Sequence, residues 1–404
     1  MVICMKVPPF SLSKQLSDLG PDLDAAVLKV LQSGQYIGGQ EVQAFEESFA
    51  QIIGVANAVS CNSGTDALVL ALRALEIGPG DEVITCSFSF FATAEAISLV
   101  GARPVFVDIN PANYLIDFSQ IEKAITSATK AILPVHLFGC PVDMDQLMKL
   151  ANEKGLKVIE DCAQASGAKW NGKSVGSWGD IGCFSFFPTK NLGAAGDGGM
   201  ATTQDDGLAR RMKELAVHGM PRRYLHTALG YNSRLDAIQA AVLNVKLPKL
   251  NEWIQQRKDI ARRYLEALKD FPGIELPSLP DERGFHAWNQ FVVRIKRFEV
   301  NNLAGAIDFR QLNLDFRNGS TSFNPRDCLK ECLQQKGINT IIYYPIPIHE
   351  QPAYGEFEGI KSLPVTEKTC KQVLSLPIFP EITVEEQDYV IDTLGGLLRS
   401  ANIT

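Results

Sequence analysis

LKVIEDCAQASGAKWNGKSVGSWGDIGCFSFFPTKNLGAAGDGGMAT, residues 156–202, decides how the chain is read. It holds two apolar runs of strand length, LKVIED and GCFSFF. Asp161 ends the first. Lys190 stands on the turn after the second, behind Pro188 and ahead of Gly193, Gly196, Gly198 and Gly199. A lone lysine is ordinarily a solvated surface residue, because its charge is costly to bury. An aspartate after a strand is ordinarily a helix cap. The combination says more: a strand and a glycine run bracket Lys190, so backbone can enclose it and a ligand can approach closely. A strand-end Asp and a post-strand Lys are what a pyridoxal phosphate (PLP) site needs. The amine condenses with the aldehyde, and the carboxylate keeps the pyridine nitrogen protonated so that the ring accepts electrons.

Upstream, the pattern repeats as strand, loop, helix. Residues 21–32 and 40–53 read as amphipathic helices around SGQYIGG. VANAVSCNSGTDALVLALRAL then gives a short strand, a tight turn and a helix with Ser63 as its N-cap. A helix N-terminus with free N–H groups is an anion site, although capping alone explains the Ser-Gly-Thr. DEVITC, PVFVDI and AILPVH are apolar and β-branched, with AEAISLV and DMDQLMKLANEKG as helices between strands. Continuous apolar strands joined by helices predict an α/β fold whose mostly parallel sheet is flanked by helices. No fixed repeat is present, which excludes a solenoid. Phe88, Phe90 and Phe91 stand where a strand meets a helix, and core packing accounts for two of them. His136 reads as a hydrogen-bonded structural residue.

Downstream, QDDGLARRMKELAVHG is a helix, MPRRYLHTA a basic loop, and GYNSRLDAIQAAVLNVKLPKL a long helix with Ser233 as its N-cap. Pro248 marks a break. The large α/β domain is expected over 1–250 and a smaller α+β domain over 251–404, with 251–270 as the linking helix. In the smaller domain FVVRIK and NTIIYYPIP read as strands, and RDCLKECLQQKGI, TEKTCKQVLSL and TVEEQDYVIDTLGGLL as helices.

At 404 residues the chain can bury a large core. Its net charge of −7, with no basic stripe, argues against nucleic-acid binding. No apolar run approaches the roughly 18 residues of a membrane span, and MVICMKVPPF lacks a signal peptide's apolar core. The nine scattered cysteines form no CxxC pair and read as reduced core thiols, so a cytoplasmic protein is expected.

EDCAQASGA, FSFFPTKNLGAAGDGG and GYNSRLDAIQAA together resemble the DegT/DnrJ/EryC1/StrS group, the sugar aminotransferases of fold type I. The resemblance runs from Met5, a possible natural start, to the C-terminus. It is interrupted near 298–324, an Asn-rich stretch expected to be a surface excursion. The resemblance implies a homodimer with shared sites and PLP as cofactor, passing through pyridoxamine phosphate. It implies Lys190 and Asp161 as catalytic residues and Phe90 stacked on the pyridine ring. Gln164 falls at the 3′ oxygen. Gly64, Thr65 and Ser185 fall on the phosphate, with Asn232 reaching it from the other subunit. The implied substrates are an amino-acid donor, by family habit glutamate, and a keto-sugar nucleotide. The GDGG form of the glycine run, with Asp197, resembles members acting at C3 rather than C4. Organisation of the turn by Asp197 is the plain alternative. Arg222 and Arg223 are candidates for the substrate diphosphate, or simply a solvated basic loop.

Three other readings compete. Some relatives are PLP-dependent sugar dehydratases, which have His where this chain has Lys190. A PLP-binding regulator without turnover would fit the family's history, but no DNA-binding element supports it. A nicotinamide dehydrogenase would need a GxGxxG after the first strand, and the chain has none.

Overall fold

The computed structural model describes residues 5–296, 324–355 and 362–400. The strands of the first part are β1 Asn57–Cys61, β2 Glu82–Cys86, β3 Arg103–Val107, β4 Thr129–Leu133 and β5 Lys157–Asp161. Then come a two-residue hairpin, β6 Lys169–Trp170 and β7 Lys173–Ser174, and the strands β8 Ile181–Ser185 and β9 Gly199–Thr203. Seven of them form one sheet in the order β1-β9-β8-β5-β4-β2-β3. Neighbours from β8 through β3 are parallel, whereas β9 runs antiparallel to both β1 and β8. Val83, Ile84, Ile132, Leu133, Ile159 and Ile181 are fully buried in it. Each contributes on the order of 1.5–3 kcal/mol through burial. This is why these runs read as continuous apolar stretches rather than alternating ones.

The helix Gln40–Ile53 fixes the strand nearest the site. Its Phe45 and Phe49 meet Phe184 and Phe186 edge to face, with ring centroids 5.0–5.3 Å apart. Such pairs contribute about 1 kcal/mol beyond burial. Phe184 and Phe186 therefore point into the core, and the chain leaves β8 toward Lys190 in a fixed direction.

A second sheet, β10 Ile274–Glu275, β12 Phe291–Ile295 and β13 Val373–Leu376, is antiparallel in the order β10-β12-β13. Its core takes in Tyr264 and Leu268 of the helix Leu250–Leu268, Leu329 and Leu333 of Pro325–Gln335, and Leu394 and Leu398 of Val384–Ser400. Val7, near the N-terminus, belongs to this core and bridges Ile338. A third, small sheet joins β11 Gly284–Phe285 to the β6–β7 hairpin.

Four expectations change. The first helix runs over Ser13–Ser33 and contains Pro21 instead of starting there. Packing of Leu19 and Leu23 on Val242 and Trp253 outweighs the hydrogen bond that the proline cannot make. Ser233 is not a cap: Asp236 precedes the helix Ala237–Lys246, and the buried Ser233 hydroxyl donates to Asn62 Oδ1 at 3.2 Å. NTIIYYPIP is not a strand; only Ile341 pairs, with Ser375, and the prolines at 345 and 347 have no N–H to continue a ladder. The pairing strand is VLSL, read as the tail of a helix that in fact ends at Cys370. The excursion near 298–324 lies outside the described residues except for Asn324, which caps the helix Pro325–Gln335.

Candidate active site

The carboxyl ends of β1, β2, β5 and β8 face one crevice, the place where an α/β sheet ordinarily binds its ligand. After β1, Ser63 accepts from the Asp66 N–H at 3.1 Å and starts the helix Gly64–Ala74. Gly64 lies so close to the end of β8 that a Cβ on it would stand 2.6 Å from Ser185 Cβ. The two segments form a tight cradle of Gly64 N–H, Thr65 and the Ser185 hydroxyl at a helix N-terminus, suited to an anion.

At the end of β5, Asp161 is buried. Its Oδ2 accepts from Thr93 Oγ1 at 2.8 Å and its Oδ1 from the Ala163 N–H at 3.1 Å. Burial raises its pKa, against the lowering effect of Thr93, Ala163, Lys190 and His136. Lys190 is half-buried on the loop after β8. Loss of hydration pulls its amine down to about 8, with the Asp161 carboxylate opposing. Among the described residues no hydrogen bond holds that amine. Gln164 is buried, accepting from the Phe138 N–H at 2.7 Å and donating to the Tyr344 hydroxyl at 2.8 Å.

The three phenylalanines after β2 take different places. Phe88 is buried against Tyr114, Phe138 and Tyr344, and Phe91 packs on Tyr354. Phe90 is 59% exposed, with its ring 6.3 Å from that of Tyr344. Tyr344 therefore joins the site, although its segment reads as a strand in the sequence. His136 is structural: its Nδ1 accepts from the Val142 N–H, so Nε2 donates to Glu160 at 3.0 Å. Glu160 also accepts from the N–H groups of Gly176, Trp178 and Gly179, which leaves its carboxylate satisfied.

Some expected residues stay apart within one chain. Asn232 is exposed, its Oδ1 accepting from Arg234 at 2.6 Å. Arg222 and Arg223 are exposed, the latter over the Tyr224 ring at 5.0 Å. Asp197 is exposed and makes no hydrogen bond among the described residues, so its side chain does not organise the glycine turn.

The residues that do converge fit PLP. An amine with a lowered pKa and no hydrogen bond, a buried carboxylate short of a cation, and an anion cradle are what an aldehyde, a pyridine nitrogen and a phosphate require. Lys190, Asp161, Gln164, Gly64, Thr65, Ser185 and Phe90 are the residues of this crevice that could hold such a group.

Comparison with known proteins agrees. The chain is 45% identical over 381 residues to UDP-N-acetyl-3-dehydro-alpha-D-glucosamine 3-aminotransferase of Acidithiobacillus ferrooxidans, covering 94% of this chain and 95% of that one. It is 42% identical over 399 residues to the pleiotropic regulatory protein of Geobacillus stearothermophilus, covering 98% and 99%. It superposes on the crystal structure of DesV of Streptomyces venezuelae, solved with a ketimine intermediate, with a TM-score of 0.88 and 41% identity over 97% and 98% of the two chains. The sequence profile of the DegT/DnrJ/EryC1/StrS aminotransferase family matches residues 17–317 and 310–395. The chain belongs to the DegT/DnrJ/EryC1/StrS aminotransferase family, whose fold is type I and whose cofactor is PLP.

Proposed function

We propose that this PLP-dependent aminotransferase moves an amino group from glutamate to C3 of a 3-keto-sugar nucleotide. The observation that carries the reading is the opposed pair at the ends of β5 and β8, Asp161 buried and Lys190 with its pKa lowered to about 8. Bound there, the cofactor would supply an electron sink for the carbanion left at the donor Cα. Lys190 would attach it at rest. Displaced by the donor, Lys190 would carry the proton from the donor Cα to C4′, a task suited to an amine that titrates near neutral pH. Asp161 would keep the ring nitrogen protonated; the pyridinium is the cation its desolvated carboxylate lacks. The Gly64, Thr65 and Ser185 cradle would take the phosphate, Gln164 the 3′ oxygen, and Phe90 one face of the ring. C3 is favoured by the activity named for the Acidithiobacillus ferrooxidans relative and by the GDGG run.

The site is completed in a homodimer. Asn232, exposed in one chain, would reach the partner's phosphate, and Arg222 and Arg223 the substrate diphosphate. Tyr36, Ile37, Phe187, Tyr224 and Leu229 leave large apolar surface exposed, as an interface requires. The chain would divide near residue 250, with Val7 packing in the core of the smaller unit. The cytoplasm suits the eight free, buried cysteines among the described residues, and no described helix is long and apolar enough to cross a membrane.

The test is a panel of 3-keto and 4-keto sugar nucleotides with glutamate, the aminated product read by mass spectrometry. Preference for 4-keto compounds would overturn the regiochemistry alone. Binding of PLP without turnover of any compound would favour the regulatory reading that the Geobacillus stearothermophilus relative's name suggests. Lys190, where a dehydratase has His, speaks against that third chemistry.

A further inference from the structure

Lys246 is a cation placed where cations are costly. It ends the helix Ala237–Lys246 and is only 2% exposed. Its ammonium donates to one group, the carbonyl of Gly193, at 2.9 Å. Burial lowers its pKa, with Glu381 opposing from a distance that leaves no ion pair among the described residues. A buried hydrocarbon of similar size would avoid that cost, so the position of the hydrogen bond calls for a reason.

Gly193 closes the loop that carries Lys190. A Cβ on Gly193 would stand 2.3 Å from the Pro188 carbonyl oxygen, so the loop folds back on itself between 188 and 193. The Ala194 N–H donates to the Phe186 carbonyl at 2.7 Å and seals the base. The same helix grips the loop a second time: Gln239 Oε1 accepts from the Ala195 N–H at 2.9 Å. Positions 239 and 246 are two turns apart and share one helix face. The loop is thus fixed to a helix by two side chains, one on either side of its sealed base.

We propose that Lys246, with Gln239, is a positioning residue for Lys190: the pair anchors residues 188–195 to the helix Ala237–Lys246 and so sets where the Lys190 amine stands. Neither side chain touches the reacting atoms. The proposal rests on Lys190 being the cofactor-bearing lysine.

The test begins with cofactor-free, full-length chain, labelled with acetic anhydride across pH and read at the Lys190 peptide by mass spectrometry. Wild-type Lys190 should label with a midpoint near 8. In Lys246→Met the released loop admits water to the amine, and the midpoint should rise by about one pH unit or more. Lys246→Arg, which keeps a donor on the same stem, should bring it part of the way back. Hydrogen exchange over 189–196 should quicken about tenfold in Lys246→Met while β5 and β8 stay protected. In loaded enzyme kcat should fall about tenfold or more with the donor KM little changed, as expected for a misplaced reacting group. An unmoved Lys190 midpoint together with unmoved exchange over 189–196 overturns the proposal. If Lys246→Met does not fold, half-exposed Gln239→Ala serves: it should move both readouts in the same direction, about threefold in exchange, and no movement rejects the clamp. Cofactor still trapped covalently in Lys190→Ala would instead reject the Lys190 reading itself.

Discussion

Replacing Lys190 by Met should stabilise the cofactor-free protein, and by an amount that depends on pH in a defined way. The amine falls from 10.5 to about 8 on folding. At 1.36 kcal/mol per pH unit that gap corresponds to roughly 3 kcal/mol of destabilisation from the charged form. The side chain is half-buried and keeps some water, so about 2 kcal/mol is the expected size. The sign follows from proton binding. Between 8 and 10.5 the unfolded chain binds the proton that the folded chain has released, so stability rises with pH across that window. The cost is fully present below 8 and gone above 10.5. Urea unfolding of wild type and Lys190→Met at pH 7 and again near pH 10.5 measures the two gaps. The variant should be the more stable at pH 7 and lose about 2 kcal/mol of that advantage at the higher pH. Packing differences between Lys and Met do not titrate, so an advantage of equal size at both pH values would refute the reasoning. The expected stability cost is what a site that keeps a reactive amine ready ordinarily shows.

Borohydride reduction of the holoenzyme should leave a cofactor-sized mass on the Lys190 peptide, and Lys190→Ala should abolish it; persistence of the adduct would move the attachment to another residue. Asp161→Asn should retain PLP through the phosphate cradle yet lose turnover by about a hundredfold or more, and in cofactor-free protein Lys190 should label at a lower midpoint, since the carboxylate that raises it is gone. Gly64→Ala should weaken PLP binding and cost about 1–3 kcal/mol, because its Cβ would overlap Ser185; equilibrium dialysis and urea unfolding check both, and unchanged affinity would take the cradle out of the site. Mixing Lys190→Ala chains with Asn232→Ala chains should restore part of the activity through one hybrid site free of both lesions, and no recovery in hybrids shown to form would confine each site to one chain.

The parallel strands were legible because burial on both faces makes them uniformly apolar, as in Val83-Ile84 and Val158-Ile159. Asp161 and Lys190 stood out by position, at and just past the carboxyl ends of strands, whereas Gln164 and Ser185 came only from the family resemblance. β9 was not. GMATT follows a glycine run and shows no periodicity, and its partners lie at residues 57–61 and 182–185. The β6–β7 hairpin was missed although Asn171-Gly172 signals it; both residues have positive φ, as a type I′ turn requires. VLSL was read as helix because it follows one without a glycine or proline stop. Tyr344 escaped because nothing local marks a tyrosine whose role depends on meeting Gln164, 180 residues away. The Lys246 clamp escaped for a similar reason: an amphipathic helix ordinarily carries its lysines in water.

The place of β9 between β1 and β8 also governs the order in which the chain can assemble. Among the described residues β9 is the only strand paired with β1, Asn57 facing Thr203 and Cys61 facing Gly199. During synthesis β2 to β5 can find their neighbours as they emerge, each beside a strand made shortly before or after it. β1 must wait until residue 203 has left the ribosome. Until then its apolar run has no strand to pair with. Long-range pairings of this kind close late and leave nascent chains prone to association. The close approach of Gly64 to Ser185 is thus among the last parts of the large sheet to form.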